Sequence, residues 1–537
     1  MKNYKIITTI FISIFVLGFI QAQDELEQEE VKVIKNFEAQ LLESERLKVM
    51  ASLPAVDTLN RTVNYDVPSK VLDLEYGPPQ IKPIAMRRAE LSEIYSTYLK
   101  AGMGNINGYY GEASHYRQVN SNLNLGGFAK YHRADNKQIE NQRFADTDVN
   151  FKGQYILSPN SHVNADLGFR DEVRYFYGYN NEFNEFSKED VRQRFQTISG
   201  EASYVNSTNE NLGIDLEGNL GYSRKSDYFD NRENSYDVAV SAKKIIQTKH
   251  VIKLGLISDL NNFQDTLLQK LNNFTVRPEF IFHADKFSVQ AGANLAFSKD
   301  NFDVLPFIHA AANIVSSQLV AFAGWNSNLQ ANTFHSLTDY NPFLVSQPEI
   351  FNSKFHDFYG GLKGKIKGVN YVGRVGYKEI DNLPLFLANS VDSLQFDVIV
   401  DTASLVYVEG VLDFTLFKKL TFISTVSQKI YSVENEEKAW HLPSFELNLT
   451  ARYKMLEDKL FLKGEFFSAN GVPFLNREQE VAHLNTLLEL NIGAEYWINP
   501  NVGLFLDGNN LLNNKRQRWD GYANFGINFL GGVVAKF

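Results

Sequence analysis

The chain of 537 residues contains no cysteine. That excludes a disulfide framework, a thiolate zinc site, a thiol nucleophile and an N-terminal lipid-modified cysteine. A basic excess is missing as well: 53 Lys and Arg against 63 Asp and Glu leave a net charge of −10. Nucleic-acid binding needs a clustered basic surface, so no nucleic-acid partner is expected. The sequence has no long apolar run except at the extreme N-terminus, and its mean hydropathy is −0.27. The chain beyond that run therefore holds no membrane-spanning helix. Catalytic signatures are equally scarce. The 10 histidines show no H-x-x-x-H or H-E-x-x-H spacing, and there is no Gly-x-Ser-x-Gly elbow. Neither an enzyme nor a metal or cofactor site is expected.

What is present begins with residues 1–22. Lys2 and Lys5 form a basic start, Ile6 to Ile20 a largely apolar stretch, and Ala22 a small residue before a cut. This is the pattern of a secretory signal peptide. As a helix the apolar stretch would reach only about 22 Å, short of a bilayer core of about 30 Å. Residues 23–92 follow, acidic at first (Asp24, Glu25, Glu27, Glu29, Glu30) and later interrupted by Pro54, Pro68, Pro78, Pro79 and Pro83. They read as an extended, plug-like or tethering segment of the periplasm.

From 93 to 537 the pattern changes to two-residue alternation broken by polar turns. Leu212, Ile214, Leu216, Leu220 and Tyr222 alternate with Asp215, Glu217 and Asn219. Phe445, Leu447, Leu449, Ala451 and Tyr453 alternate with Glu446, Asn448, Thr450 and Arg452. Runs of this length suit tilted, membrane-crossing strands with one apolar and one polar face. About 22 such runs can be counted, with 18–22 strands as the range. Short turns (158–161, 418–419, 457–458, 499–501) contrast with long connections (180–191, 329–356, 383–401), which places the two kinds at opposite ends of the strands. The fold class expected is all-β: a transmembrane antiparallel β-barrel.

Residues 524–537 read as a last alternating strand ending on an aromatic. Phe525, Ile527, Phe529, Val533 and Phe537 share one face of it. Such a strand resembles the signal read by the barrel-assembly machinery when a barrel enters the outer membrane. Aromatics near strand ends, such as Tyr109, Tyr110, Tyr175, Phe176, Tyr177, Phe466 and Phe467, are expected in interfacial girdles.

The stretch from Asn501 to Asn514 followed by the last strand resembles the closing hairpin of TonB-dependent receptors. Ile81-Lys82-Pro83 and the stretch from Tyr98 to Asn105 resemble the opening of such barrels. The resemblance implies 22 strands, a Gram-negative outer-membrane location and contact with lipid and lipopolysaccharide. The chain departs from the family in one respect: residues 23–92 are too few for a full plug domain and lack its Arg-Gly and Asp-Gly-x-Pro patterns. Glu30, Val31, Val33 and Ile34 resemble the short box that engages an energy-coupling protein, and form the candidate partner-binding tether. Two functions follow as expectations. One is solute transport or uptake through a polar lumen; the other is a non-transporting scaffold or accessory subunit bound to other outer-membrane or periplasmic proteins.

Overall fold

The computed structural model describes residues 95–179, 185–207, 213–299, 301–345, 347–390, 394–476 and 478–537. The expected signal peptide, the segment 23–92, the motif at 81–83 and the tether residues Glu30, Val31, Val33 and Ile34 lie outside the described residues.

The first strands are β1 (Thr97–Gly104), β2 (Tyr109–Gln118), β3 (Leu123–Asp135), β4 (Arg143–Ser158), β5 (Ser161–Tyr175), β6 (Arg192–Asn206) and β7 (Ile214–Ser226). Next come β8 (Arg232–Ile246), β9 (His250–Gln264), β10 (Leu268–His283), β11 (Phe287–Ser298), β12 (Asn301–Val315) and β13 (Leu319–Asn332). A short helix, α1 (Phe334–Tyr340), precedes β14 (Phe351–Ile366), β15 (Val369–Ala388), β16 (Phe396–Leu416), β17 (Leu420–Val433), β18 (Phe445–Met455) and β19 (Leu460–Asn470). The chain ends with β20 (Pro473–Leu475), β21 (Val481–His483), β22 (Leu487–Trp497), β23 (Val502–Asn509), β24 (Gln517–Trp519), β25 (Tyr522–Ala523) and β26 (Asn528–Lys536).

Twenty-two of these form one antiparallel sheet, and β1 pairs with β26 to close it into a barrel. The two-stranded ribbons β20–β21 and β24–β25 sit in connections between wall strands. Closure brings Gly102 opposite Gly532, so neither strand carries a side chain at that point of the seam. A Cβ on Gly102 would lie 2.6 Å from the ring of Phe505. The seam needs glycine there because two backbones and a ring meet.

The alternation read from sequence becomes the two faces of the wall. Leu220, Val240 and Leu256 face outward and are about half exposed, as are Phe274, Val304 and Val375 on later strands. An apolar exterior of this extent is stable only against lipid, and the closed 22-stranded sheet has no open edge to expose there.

Three features differ from the sequence reading. The connections expected at 329–356 and 383–401 are mostly ordered: β13 runs to Asn332, β14 starts at Phe351, and β15 and β16 extend to Ala388 and from Phe396. Alternation breaks in β15 because the register shifts between Ile380 and Leu383, with Asn382 at φ 58°. Such a bulge bends a hairpin and exchanges the faces of the residues beyond it. The closing strand begins at Asn528, so Phe525 does not share its outward row; its ring lies edge-on to Phe144 at 5.6 Å. Ile527, Phe529, Val533 and Phe537 are exposed. The girdle expectation fails for Phe176, which is buried, and for Tyr175 and Tyr177, which pack against the same buried cluster. Tyr109 is exposed as expected.

Candidate functional site

The inward rows of the wall carry cross-strand ion pairs. Lys100 meets Asp507 at 3.2 Å, Lys243 meets Asp215 at 3.1 Å, and Lys429 meets Glu446 at 3.1 Å. Arg174–Asp146 and Arg374–Glu409 are closer pairs of the same kind. A barrel of this strand number is too wide to be filled by its own wall side chains. What crosses the lumen therefore decides what can pass.

The connection between β13 and β14 crosses it. β13 stays paired with β12 only as far as Asn326, opposite Phe307. Beyond that point β13 parts from β12 while staying paired with β14 as far as Asn332, opposite Phe351, and the Ser327 carbonyl accepts from the Asn294 amide at 2.9 Å. Thr333 then caps α1 by accepting from Ser336 N–H, while the Ser336 hydroxyl accepts from Thr333 N–H. This reciprocal cap lets a helix of two turns start inside a loop.

α1 lands on the lumenal faces of β5 to β9. Phe334 is fully buried, stacked on Phe263 of β9 at 4.8 Å and tilted against Phe195 of β6 at 6.2 Å. Glu233 of β8 accepts from the first free N–H groups of the helix, Phe334 N at 2.7 Å and His335 N at 3.3 Å. Lys225 of β7 donates to Asp339 at 2.5 Å, and its ammonium lies 4.9 Å over the Phe195 ring. Glu233 and Lys225 are each 1% exposed, so both are lumenal charges held almost entirely by this strap. Burial alone would raise the Asp339 carboxyl, but the hydrogen bond from His335 and the charge of Lys225 outweigh it and hold it well below the carboxylate range. The returning limb is pinned to β10, where Gln269 donates to the Pro348 carbonyl and accepts from Ile350 N–H at 3.1 Å.

Above the strap, the long connections meet in one aromatic lid. Phe176, Phe343, Phe386, Phe396, Trp440, Trp519 and Tyr522 are all buried in it. Phe386 and Phe396 stand at the ends of β15 and β16, and the others come from connections that begin on β5, β13, β17 and β23, so the lid draws on strands about halfway round the barrel from one another. Phe343 stacks on Tyr522 with ring centroids 3.6 Å apart, and Phe396 pairs with the strap through Leu344. His441 is at the centre. Its Nδ1–H donates to the Phe386 carbonyl at 2.7 Å, and Trp519 stacks on its ring at 5.4 Å.

Burial lowers the His441 imidazole to about 4, Arg518 adds to the lowering, and the bond to Phe386 only partly opposes it. The lid thus holds a neutral histidine. Its contribution to closure is complete above the ordinary pKa of about 6.5 and falls as pH drops toward about 4, because the open state binds the proton more tightly. The expected loss across that window is about 3 kcal/mol. Protease accessibility of the lid should rise between pH 7 and pH 4, and His441→Gln should flatten the response. A flat wild-type profile would contradict this role.

Sequence reasoning placed the long connections at one end but not the latch residues Lys225, Glu233 and Asp339. The available signal was a capping pattern inside 329–356: Thr333, then Phe334 and Leu337, then Pro342. The histidines read as loop or lumen residues include His441, which is a loop residue but a buried one.

No protein-family model and no curated protein matches the chain. Solved structures do. The pyoverdine outer membrane receptor FpvA from Pseudomonas aeruginosa PAO1 is 11% identical over 84% of this chain and 80% of its own, with a TM-score of 0.62. The ferric-catecholate import receptor Fiu from E. coli K12 is 9% identical over 83% of this chain and 82% of its own, with a TM-score of 0.63. The ferric enterobactin receptor PfeA of P. aeruginosa, in a substituted form, is 11% identical over 82% and 80%, with a TM-score of 0.60. This likeness defines the fold: a closed 22-stranded antiparallel barrel of the kind these outer-membrane receptors share.

Proposed function

We propose that the chain is an outer-membrane barrel for solute uptake, exported by its signal peptide and closed at the long-loop end by its own strap and lid. The observation that carries this reading is the latch: two almost fully buried lumenal charges, Lys225 and Glu233, are matched by a helix lying across the lumen. A scaffold would need no such device. Its loops could be seated by apolar contacts alone, with no buried charge to match. The neighbours in fold, named as a ferric enterobactin receptor, a ferric-catecholate import receptor and a pyoverdine outer membrane receptor, support passage through barrels of this shape.

The test is conductance of the purified full chain in planar bilayers. Brief, rare openings that become long when the strap is replaced by a short Gly-Ser linker support the proposal. A permanently silent barrel that co-purifies with stoichiometric partners would support the scaffold reading instead. Residues 23–92, with Glu30, Val31, Val33 and Ile34 as the tether, are proposed as the partner-binding segment; deleting them should abolish any energy-dependent uptake while leaving passive conductance measurable.

The outward row Phe529, Val533 and Phe537 is proposed as the signal read by the assembly machinery, with Ile527 just before the strand and Phe525 turned away from it. Phe537→Ala should lower the amount inserted in cells several-fold while leaving the heat resistance of the inserted fraction unchanged, as read by semi-native electrophoresis.

A further inference from the structure

Beneath the lid, against the lumenal wall of β3 to β5 and β22 to β26, lies a cavity of about 510 Å³. Cavities of roughly 300–1,000 Å³ hold small organic ligands. Aromatic rings form much of its surface, including Phe144, Tyr175, Phe343 and Trp519.

Its charges decide what would fit. Three arginines line it. Arg174 is neutralised by Asp146 through both guanidinium nitrogens, and Arg143 by Asp135 at 3.4 Å. Arg518 has no carboxylate in ion-pair contact among the described residues. Its Nη2 donates to the Tyr340 hydroxyl at 3.0 Å, and its Nη1 is buried without a hydrogen-bond partner. Two carboxylates line the cavity. Asp146 is taken by Arg174, whereas Glu489 accepts only from the Asn491 amide, at 3.3 Å. One cation and one anion on the cavity wall are thus left without an oppositely charged partner, Arg518 lying over the Tyr340 and Trp519 rings at 5.6 Å instead.

We infer that this cavity binds a zwitterion of amino-acid or short-peptide type. Its carboxylate would pair with Arg518, its ammonium with Glu489, and its apolar side chain would lie against the rings. A simple anion would leave Glu489 unmatched, and a simple cation would leave Arg518 unmatched. Guanidinium groups favour carboxylates through parallel hydrogen bonds, which fits the first assignment. The inference rests on the reading that solute enters the lumen, and it names the class of solute.

The test is calorimetric titration of the full chain in detergent with the tripeptide Ala-Phe-Ala, its N-acetylated form and its C-terminal amide. The free tripeptide is expected to bind, with each blocked form at least tenfold weaker. Glu489→Gln should erase the difference between free and acetylated peptide, and Arg518→Gln the difference between free and amidated peptide. Glu489→Gln, on a wall strand away from the lid core, keeps the test decisive if Arg518→Gln loosens the lid. Equal affinity of the three forms, or no binding at millimolar peptide, overturns the inference. Conductance of the strap-replaced chain separates the two proposals: a conducting barrel that ignores the peptides retains the channel and loses this site.

Discussion

Asp339→Asn is expected to turn a mostly closed barrel into one that stays open for long periods. Lys225 is 1% exposed, and Asp339 is its ion-pair partner. Removing one member of a buried pair typically costs about 3–5 kcal/mol, because the remaining charge stays dehydrated. The Asp339 side chain is 40% exposed, so solvent already screens part of the interaction and the cost is discounted to about 2–3 kcal/mol. That shifts the balance between seated and released strap by roughly 30- to 150-fold. Open probability in planar bilayers reads it directly. The double variant Lys225→Met with Asp339→Asn should close again, since an apolar side chain of similar length beside Phe195 and Phe334 has no charge to expose. If the single and double variants open equally, the ion pair is not what seats the strap.

Trp519→Ala is expected to dismantle the lid while sparing the barrel. Trp519 is buried and touches the rings of Tyr340, Phe386, Phe396 and His441. Truncating a buried aromatic of this size costs about 3–5 kcal/mol in lost contacts and residual cavity. The lid has no backbone ladder of comparable extent to absorb that loss, whereas the wall strands are paired along their whole closed circuit. Limited proteolysis should cut within 510–527 or 434–444 in the variant and not in the wild type, while heat-modifiable mobility on gels stays unchanged. Loss of heat modifiability would instead mean that the lid stabilises the whole barrel. Because Trp519 also lines the cavity beneath the lid, peptide binding should fall in this variant.

The latch and the lid respond differently to acid. Asp339 has a depressed pKa, so its contribution is present above the ordinary carboxylate value and is lost only in strong acid. His441 acts in the same sense, since its pKa is also lowered, but its contribution fades already in mild acid, between about 6.5 and about 4. Acid should therefore loosen the lid before it releases the strap.

The sequence by itself determined the wall. Period-two alternation is a local property, since each residue's face is set by its immediate neighbours and lipid demands an apolar outer row on every strand. Runs such as 212–222 and 445–455 could therefore be counted without knowing what they touch, and every one of the 22 runs corresponds to a wall strand. The contrast between turns such as 158–161 and connections such as 180–191 likewise needed only lengths. Tertiary structure alone decided what occupies the lumen. Phe334 meets Phe195 and Phe263, Lys225 meets Asp339, and Phe343 meets Tyr522 across large separations in sequence. No period announces such meetings, because they depend on barrel width and on the parting of β13 from β12 beyond Asn326. The bulge at Asn382 hid the upper part of β15 for a related reason: one extra residue exchanges the faces, so an alternation count stops where the strand continues.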